Sequence, residues 1–256
     1  MTPIETPQSR CRVGFARADI TPPVGIYHRM WGAALHDRAT GVHRPLLATV
    51  VAMEPLSGSG RAVIVGLDHC LFDPSEFARL RERVGGAAGI GVDDVHICMS
   101  HTHGSAWMSR SRSHLPGGDL IGPYLDRLAE VCAQVVKEAI AAARPSTIVY
   151  GTGRCSLAAH RDLWDADSRQ FVCGFNPGGP ADDTVLVARA VDDDGDTLGT
   201  LVNYACHPTT LAWENTLLSP DYVGEMREVV EQPTAAPCLF LQGASGVLGP
   251  REGFVG

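Results

Sequence analysis

The sequence predicts an α/β fold, a single domain with mixed β-sheets flanked by helices. Three observations lead there. Apolar runs of strand length alternate with stretches of helical periodicity. Two pairs of these runs are joined by short Gly/Ser or Asp/Gly turns, which make hairpins and argue against a purely parallel sheet. The chain has 256 residues, 45% of them hydrophobic and 20% charged, enough for one large buried core and ordinary for a globular protein.

Residues 12–18 read as a short strand ending in the turn Asp19-Ile20-Thr21-Pro22-Pro23. Residues 46–53 and 62–67 are apolar runs around Ser57-Gly58-Ser59-Gly60, a hairpin pattern. Pro74 suits a first helical turn, and Phe77, Leu80 and Val84 recur at helical spacing, so 74–83 is read as a helix. Residues 95–99 form a strand that runs into Ser100-His101-Thr102-His103. The clearest helix is 119–143: Leu120, Tyr124, Leu128, Val131, Val135 and Ala139 make one apolar stripe, Asp119 is the expected N-cap, and Arg144-Pro145 ends it. Strands follow at 147–150, 184–191 and 198–205, the last two joined by Asp192-Asp193-Asp194-Gly195-Asp196. That turn lacks the spaced ligands and distal Glu of a calcium loop, so it reads as a hairpin turn. Ser219-Pro220-Asp221 opens a helix to about residue 231, and 237–241 is a final strand.

Composition removes several function classes. With 21 basic against 29 acidic residues and a net charge of −8, the chain lacks the clustered cations that nucleic acid requires. The pair Arg110 and Arg112 lies in a loop and does not overturn this. No apolar run approaches a transmembrane segment, and residues 1–12 show no apolar secretory core. The eight cysteines are scattered without a CxxC pair, which excludes a zinc finger and reads as reduced thiols. A cytoplasmic location is therefore expected.

The chemistry-bearing segment is Ser100-His101-Thr102-His103-Gly104. In an extended strand alternate residues share a face, so His101 and His103 are expected to project together. Either both bind one metal, or one binds while the other acts on substrate; neutral imidazole suits zinc. His207 ends a second apolar strand and is followed by Pro208-Thr209-Thr210, another strand-end position. Gly104-Ser105-Ala106 after the HxH pair departs from a metallo-β-lactamase pattern, and HExxH, GxSxG and the P-loop motif are absent. Gly243-Ala244-Ser245-Gly246 comes near a nucleophile elbow, which keeps a serine esterase using Ser245 as an alternative.

Several segments, in order along the chain, resemble the catalytic region of the neutral/alkaline ceramidase family. They are Gly14-Phe15-Ala16-Arg17-Ala18-Asp19-Ile20-Thr21-Pro22, Leu67-Asp68-His69-Cys70, Ser100-His101-Thr102-His103, Asn203-Tyr204-Ala205-Cys206-His207-Pro208-Thr209, Leu218-Ser219-Pro220-Asp221-Tyr222 and Phe240-Leu241-Gln242-Gly243-Ala244. The resemblance implies a zinc-dependent hydrolase cleaving a linear N-acyl amide bond by metal-activated water. It implies His101 and His207 as zinc ligands and His103 as the neighbour that polarises the carbonyl or orients water. Arg161, in Ala159-His160-Arg161, falls where the family has Asn-Arg beside the site; an ordinary surface ion pair is its other reading. The implied substrate is a small-molecule or lipid-like amide.

Two departures stand out. Where the family continues Gln-Gly-Ala with Gly-Asp-x-(Ser/Asn)-Pro, this chain has Gly246-Val247-Leu248-Gly249-Pro250, which replaces polar groups by Val247 and Gly249. The family's remaining zinc ligands, a Glu and a Tyr, come from a later segment. Residues 1–256 are thus expected to form one ceramidase-like domain lacking a C-terminal part. A second chain, or a homo-oligomer, would complete the site, or Asp68, Asp221 or Glu225 would substitute. A degenerate remnant that binds metal or a partner without turnover is the other alternative.

Overall fold

The structure is a computed structural model and describes residues 8–252. The reading made on residues 1–7 lies outside the described residues. Eight strands make one mixed sheet: β1 (Gln8–Asp19), β2 (Leu47–Glu54), β3 (Ala62–Leu67), β4 (Val95–Met99), β5 (Arg144–Arg154), β6 (Thr184–Asp192), β7 (Thr197–Tyr204) and β8 (Cys238–Gln242). Their order is β8-β7-β6-β5-β1-β2-β3-β4. The pairs β3–β4 and β7–β8 are parallel and the remainder antiparallel, as the hairpin signals require.

The sheet folds over on itself, because its strands are apolar on both faces. Along β1 and β2, Ala16, Ala18, Ala48, Val50 and Ala52 point to one core, while Val13, Phe15, Val51 and Met53 point to another. The second core also holds Ile148, Ala190 and Leu239 from β5, β6 and β8, so the two halves of the sheet face each other across it. Gly199 on β7 marks this approach: a Cβ there would lie 2.6 Å from the ring of Phe15 on β1.

Helices cover both outer faces. Helix α1 (Pro74–Ala88) and helix α2 (Ile121–Ala141) bury Leu80, Val84, Leu125, Leu128, Cys132, Val135 and Val136 against β2 and β3. Helix α3 (Tyr222–Glu231) sets Val223 and Met226 against Val202, Tyr204 and Phe240 of β7 and β8. The α2 stripe is the one read from the sequence, but Asp119 is not its N-cap. Residues Gly118–Leu120 form a 3-10 turn, and Leu120 occupies the cap position. The segment between β5 and β6 carries two further elements: Ala158–His160, which pairs with Leu248–Pro250, and the hairpin Asp162–Asp165 with Gln170–Cys173.

Two features of the core are testable. Gly14 lets β1 touch α2, since a Cβ there would stand 2.0 Å from the Ala139 carbonyl oxygen and 2.6 Å from the Ala143 nitrogen. Gly14→Val is expected to destabilise the fold by more than about 3 kcal/mol in urea unfolding. Gly151→Ala, where a Cβ meets nothing within 4 Å, is expected to change stability by less than about 0.5 kcal/mol.

Two core imidazoles, His28 and His69, are 2% and 0% exposed. Burial lowers their pKa values to about 4 and about 3. These folded values lie below the unfolded value of about 6.5. Keeping the rings neutral therefore contributes stability that is complete above about pH 6.5 and is lost as the pH falls towards about 3. The urea midpoint should be level between pH 7 and 8 and decline steadily below about 6.5, with His28→Gln flattening the upper part of that decline. A midpoint that holds constant down to pH 4 would contradict this assignment.

Candidate metal centre

The fold-over of the sheet sets two strand ends side by side. β4 ends at Met99 and β7 at Tyr204, and the loops beyond them carry His101, His103 and His207. The ring centroids of His101 and His207 are 4.8 Å apart, those of His101 and His103 5.4 Å, and those of His103 and His207 5.7 Å. The three histidines read from the sequence therefore meet. The reason first given for two of them is corrected, however. The strand stops before His101, which adopts φ 67°, and the pair converges through a tight turn rather than through strand alternation.

Hydrogen bonds hold that turn. The His101 amide donates to the His69 carbonyl at 2.9 Å and the His103 amide to the Pro208 carbonyl at 3.3 Å. Thr102 Oγ1 donates to the Ser219 carbonyl at 2.7 Å. Gly104 fits because a side chain would strike the same carbonyl oxygen, 2.4 Å from its Cβ position.

The imidazoles are oriented in a manner that suits a cation. His207 Nδ1–H donates to the Ser245 carbonyl at 2.7 Å, and His101 Nδ1–H to the Cys70 carbonyl at 3.1 Å. Each bond fixes the tautomer and leaves Nε2 as a lone-pair donor, the usual arrangement of ligating histidines. His103 Nδ1 is buried and has no hydrogen-bond partner among the described residues. Burial first, then neighbouring charge, lowers all three pKa values, that of His207 to about 4 and that of His103 to about 3. The rings are neutral at physiological pH, as ligation requires.

One group was missed by sequence reasoning. Cys70 Sγ lies 3.7 Å from His101 Nδ1, and the donor atoms of Cys70, His101 and His103 all fall within 4.8 Å of one another. Burial pushes the Cys70 thiol up to about 12, so it ligates only if a cation displaces its proton. Its place in Leu67-Asp68-His69-Cys70, directly after β3 and beside β4, was the available signal.

Arg161 also reaches the site. Its Nη2 donates to His207 Nε2 at 3.3 Å and to the Gly246 carbonyl at 2.9 Å. The surface ion-pair reading of this residue is thereby replaced. A Cβ at Gly249 would lie 3.6 Å from Arg161 Cδ, an ordinary contact.

Other expected residues are placed elsewhere. Asp68 is buried against Arg227 at 2.7 Å and accepts the Leu47 amide. Asp221 accepts from Thr210, Leu211 and Tyr222, and Glu225 pairs with Arg44. Their oxygens are engaged in holding the loops and α3. Ser245 Oγ accepts from Gln242 at 2.5 Å, and the nearby His207 is turned to the Ser245 carbonyl rather than to the hydroxyl. Met108 is fully buried in the helix-covered core, and Trp107 is engaged by Asp73 and Arg112. The aromatic beside His103 is Trp31, 4.8 Å between centroids.

No protein-family model matches the sequence. Curated proteins do. Neutral ceramidase of Pseudomonas aeruginosa is 23% identical over 94% of this chain and 37% of its own length. Neutral ceramidase of Oryza sativa subsp. japonica is 24% identical over 86% of the chain and 28% of its own, and neutral ceramidase 1 of Arabidopsis thaliana 25% over 87% and 30%. Among solved structures, neutral ceramidase from Pseudomonas aeruginosa superposes with a TM-score of 0.77 and 20% identity, covering 98% of this chain and 41% of that one. A structure described as ceramidase complexed with C2 superposes at 0.76 and 22%, covering 96% and 39%. The chain spans between about a quarter and two fifths of the length of these relatives. No helix among the described residues is long and apolar enough to cross a membrane. Sequence likeness and fold agree: the chain is similar to the neutral ceramidases, as a divergent, ceramidase-like relative.

Proposed function

We propose that this chain hydrolyses the amide bond of an N-acyl, lipid-like substrate, with zinc held by His101 and His207. The observation that carries the reading is the meeting of three neutral imidazoles, two of them turned by backbone carbonyls so that Nε2 is available. Zinc bound there supplies Lewis acidity and an activated water at neutral pH. Cys70 groups with His101 and His103 rather than with His207.

The chain's own residues take defined parts. His103, neutral and beside both other rings, would orient the attacking water or bond the carbonyl oxygen. A cation held by His207 Nε2 would displace the bond from Arg161, whose guanidinium, kept by the Gly246 carbonyl, would then be free to bond an oxygen of the substrate. Trp31 offers an apolar wall beside His103.

One sequence feature favours a second reading, a fold that binds metal or a partner without turnover. Val247 and Gly249 stand where the resembled family has polar residues. Elemental analysis of purified chain, combined with a panel of N-acyl amides of increasing chain length, separates the readings. The hydrolase reading expects zinc near one ion per chain and turnover abolished by chelator and restored by zinc. His101→Ala and His207→Ala should each weaken zinc by more than about tenfold, the loss seen even when only a ligand's orienting partner is removed. Zinc without turnover on the whole panel selects the second reading, and unchanged metal content in both variants rejects the site.

A further inference from the structure

His69 takes no part in the chemistry above, yet it is wholly buried among polar partners. Its Nε2 lies 2.5 Å from Tyr124 OH and its Nδ1 2.6 Å from Ser105 Oγ. Tyr124 OH in turn donates to the Ile20 carbonyl at 2.7 Å. That bond uses the phenol's single proton, so the phenol oxygen accepts from His69 Nε2–H. A neutral imidazole protonated at Nε2 has its lone pair on Nδ1, and Ser105 Oγ–H donates there. The hydrogen-bond chain thus runs in one direction, from Ser105 through His69 and Tyr124 to Ile20.

The main chain of His69 adds a second attachment. Its carbonyl accepts the His101 amide at 2.9 Å. His69 therefore grips the histidine turn at both ends, at His101 through its backbone and at Ser105 through its ring. Between these grips lie His103 and the φ 67° backbone of His101, a conformation that persists only where the surroundings fix it. Thr102 and His28 tether the middle, on the Ser219 carbonyl and from Nε2 to the Gly104 carbonyl.

We propose that His69 is a positioning residue: its Nδ1 contact with Ser105 fixes the far end of the turn and so sets the spacing of His101 and His103. The zinc readout of this inference rests on the function proposed above, whereas the exchange readout does not.

Two substitutions divide the ring's contacts. His69→Asn puts an amide oxygen near the Nδ1 position and keeps an acceptor for Ser105 while losing the contact to Tyr124. His69→Gln puts an amide N–H near the Nε2 position, keeps the contact to Tyr124 and loses that to Ser105. Each forfeits one buried bond, so both should lower the urea midpoint comparably. With the full chain, zinc and a competing chelator, His69→Gln should weaken zinc binding about tenfold and His69→Asn less than about twofold. Amides of residues 101–105 should exchange about tenfold faster in His69→Gln alone, with α2 unchanged in both. Ser105→Ala, which deletes only the donor, should match His69→Gln. Equal losses in the Asn and Gln variants, or none in either, overturn the proposal. If the unsubstituted chain binds no zinc, the metal reading falls, and the exchange comparison alone decides the role of His69.

Discussion

The apolar interior between the two halves of the sheet is the constraint on which everything else depends. Leu239 and Leu241 of β8 share it with Val51 of β2 and Ile64 of β3, strands from opposite ends of the sheet order, and they can leave water together only if the sheet closes on itself. Closure puts the end of β4, at one edge, beside the end of β7, next to the other edge. The histidine site is a by-product of that geometry: the loops after two strands meet because the strands beneath them must pack.

Around the site, polar groups are held by backbone carbonyls more than by charges. His207 leans on Ser245, His101 on Cys70 and Arg161 on Gly246, all through main-chain oxygens. Carbonyls orient a ring without lowering its ability to bind a cation, and they do not titrate. The acidic residues nearby serve the scaffold instead: Asp68 buries the charge of Arg227, and Asp221 caps α3 and ties down Thr210 and Leu211.

Much of this was legible in the sequence, and for identifiable reasons. The α2 stripe, the β2–β3 hairpin and the β6–β7 hairpin carry strong periodicity or turn chemistry, and each stands where it was read. His101, His103, His207 and Arg161 were found because they sit in short segments with recognisable neighbours, and the structure brings them together. Cys70 was not singled out, since a lone cysteine after a strand carries no pattern of its own; only the fold shows it beside His101. The hairpin Asp162–Asp165 with Gln170–Cys173 also escaped, because its strands are four residues each and mostly exposed, too brief for a burial period to show. The positive φ of His101 is invisible to any pattern that assumes a continuing strand.

The short pairing of Leu248–Pro250 with Ala158–His160 has a consequence for the order of events during synthesis. The backbone oxygens that aim Arg161 and His207 belong to residues 246 and 245, separated from those side chains by 85 and 38 positions. A ribosome-bound chain that has released everything up to Pro208 already possesses all three imidazoles, yet the last of them still lacks its orienting partner. Closure of the pocket consequently waits for residues 245 and 246, timed by long-range contacts rather than by the appearance of the histidines themselves.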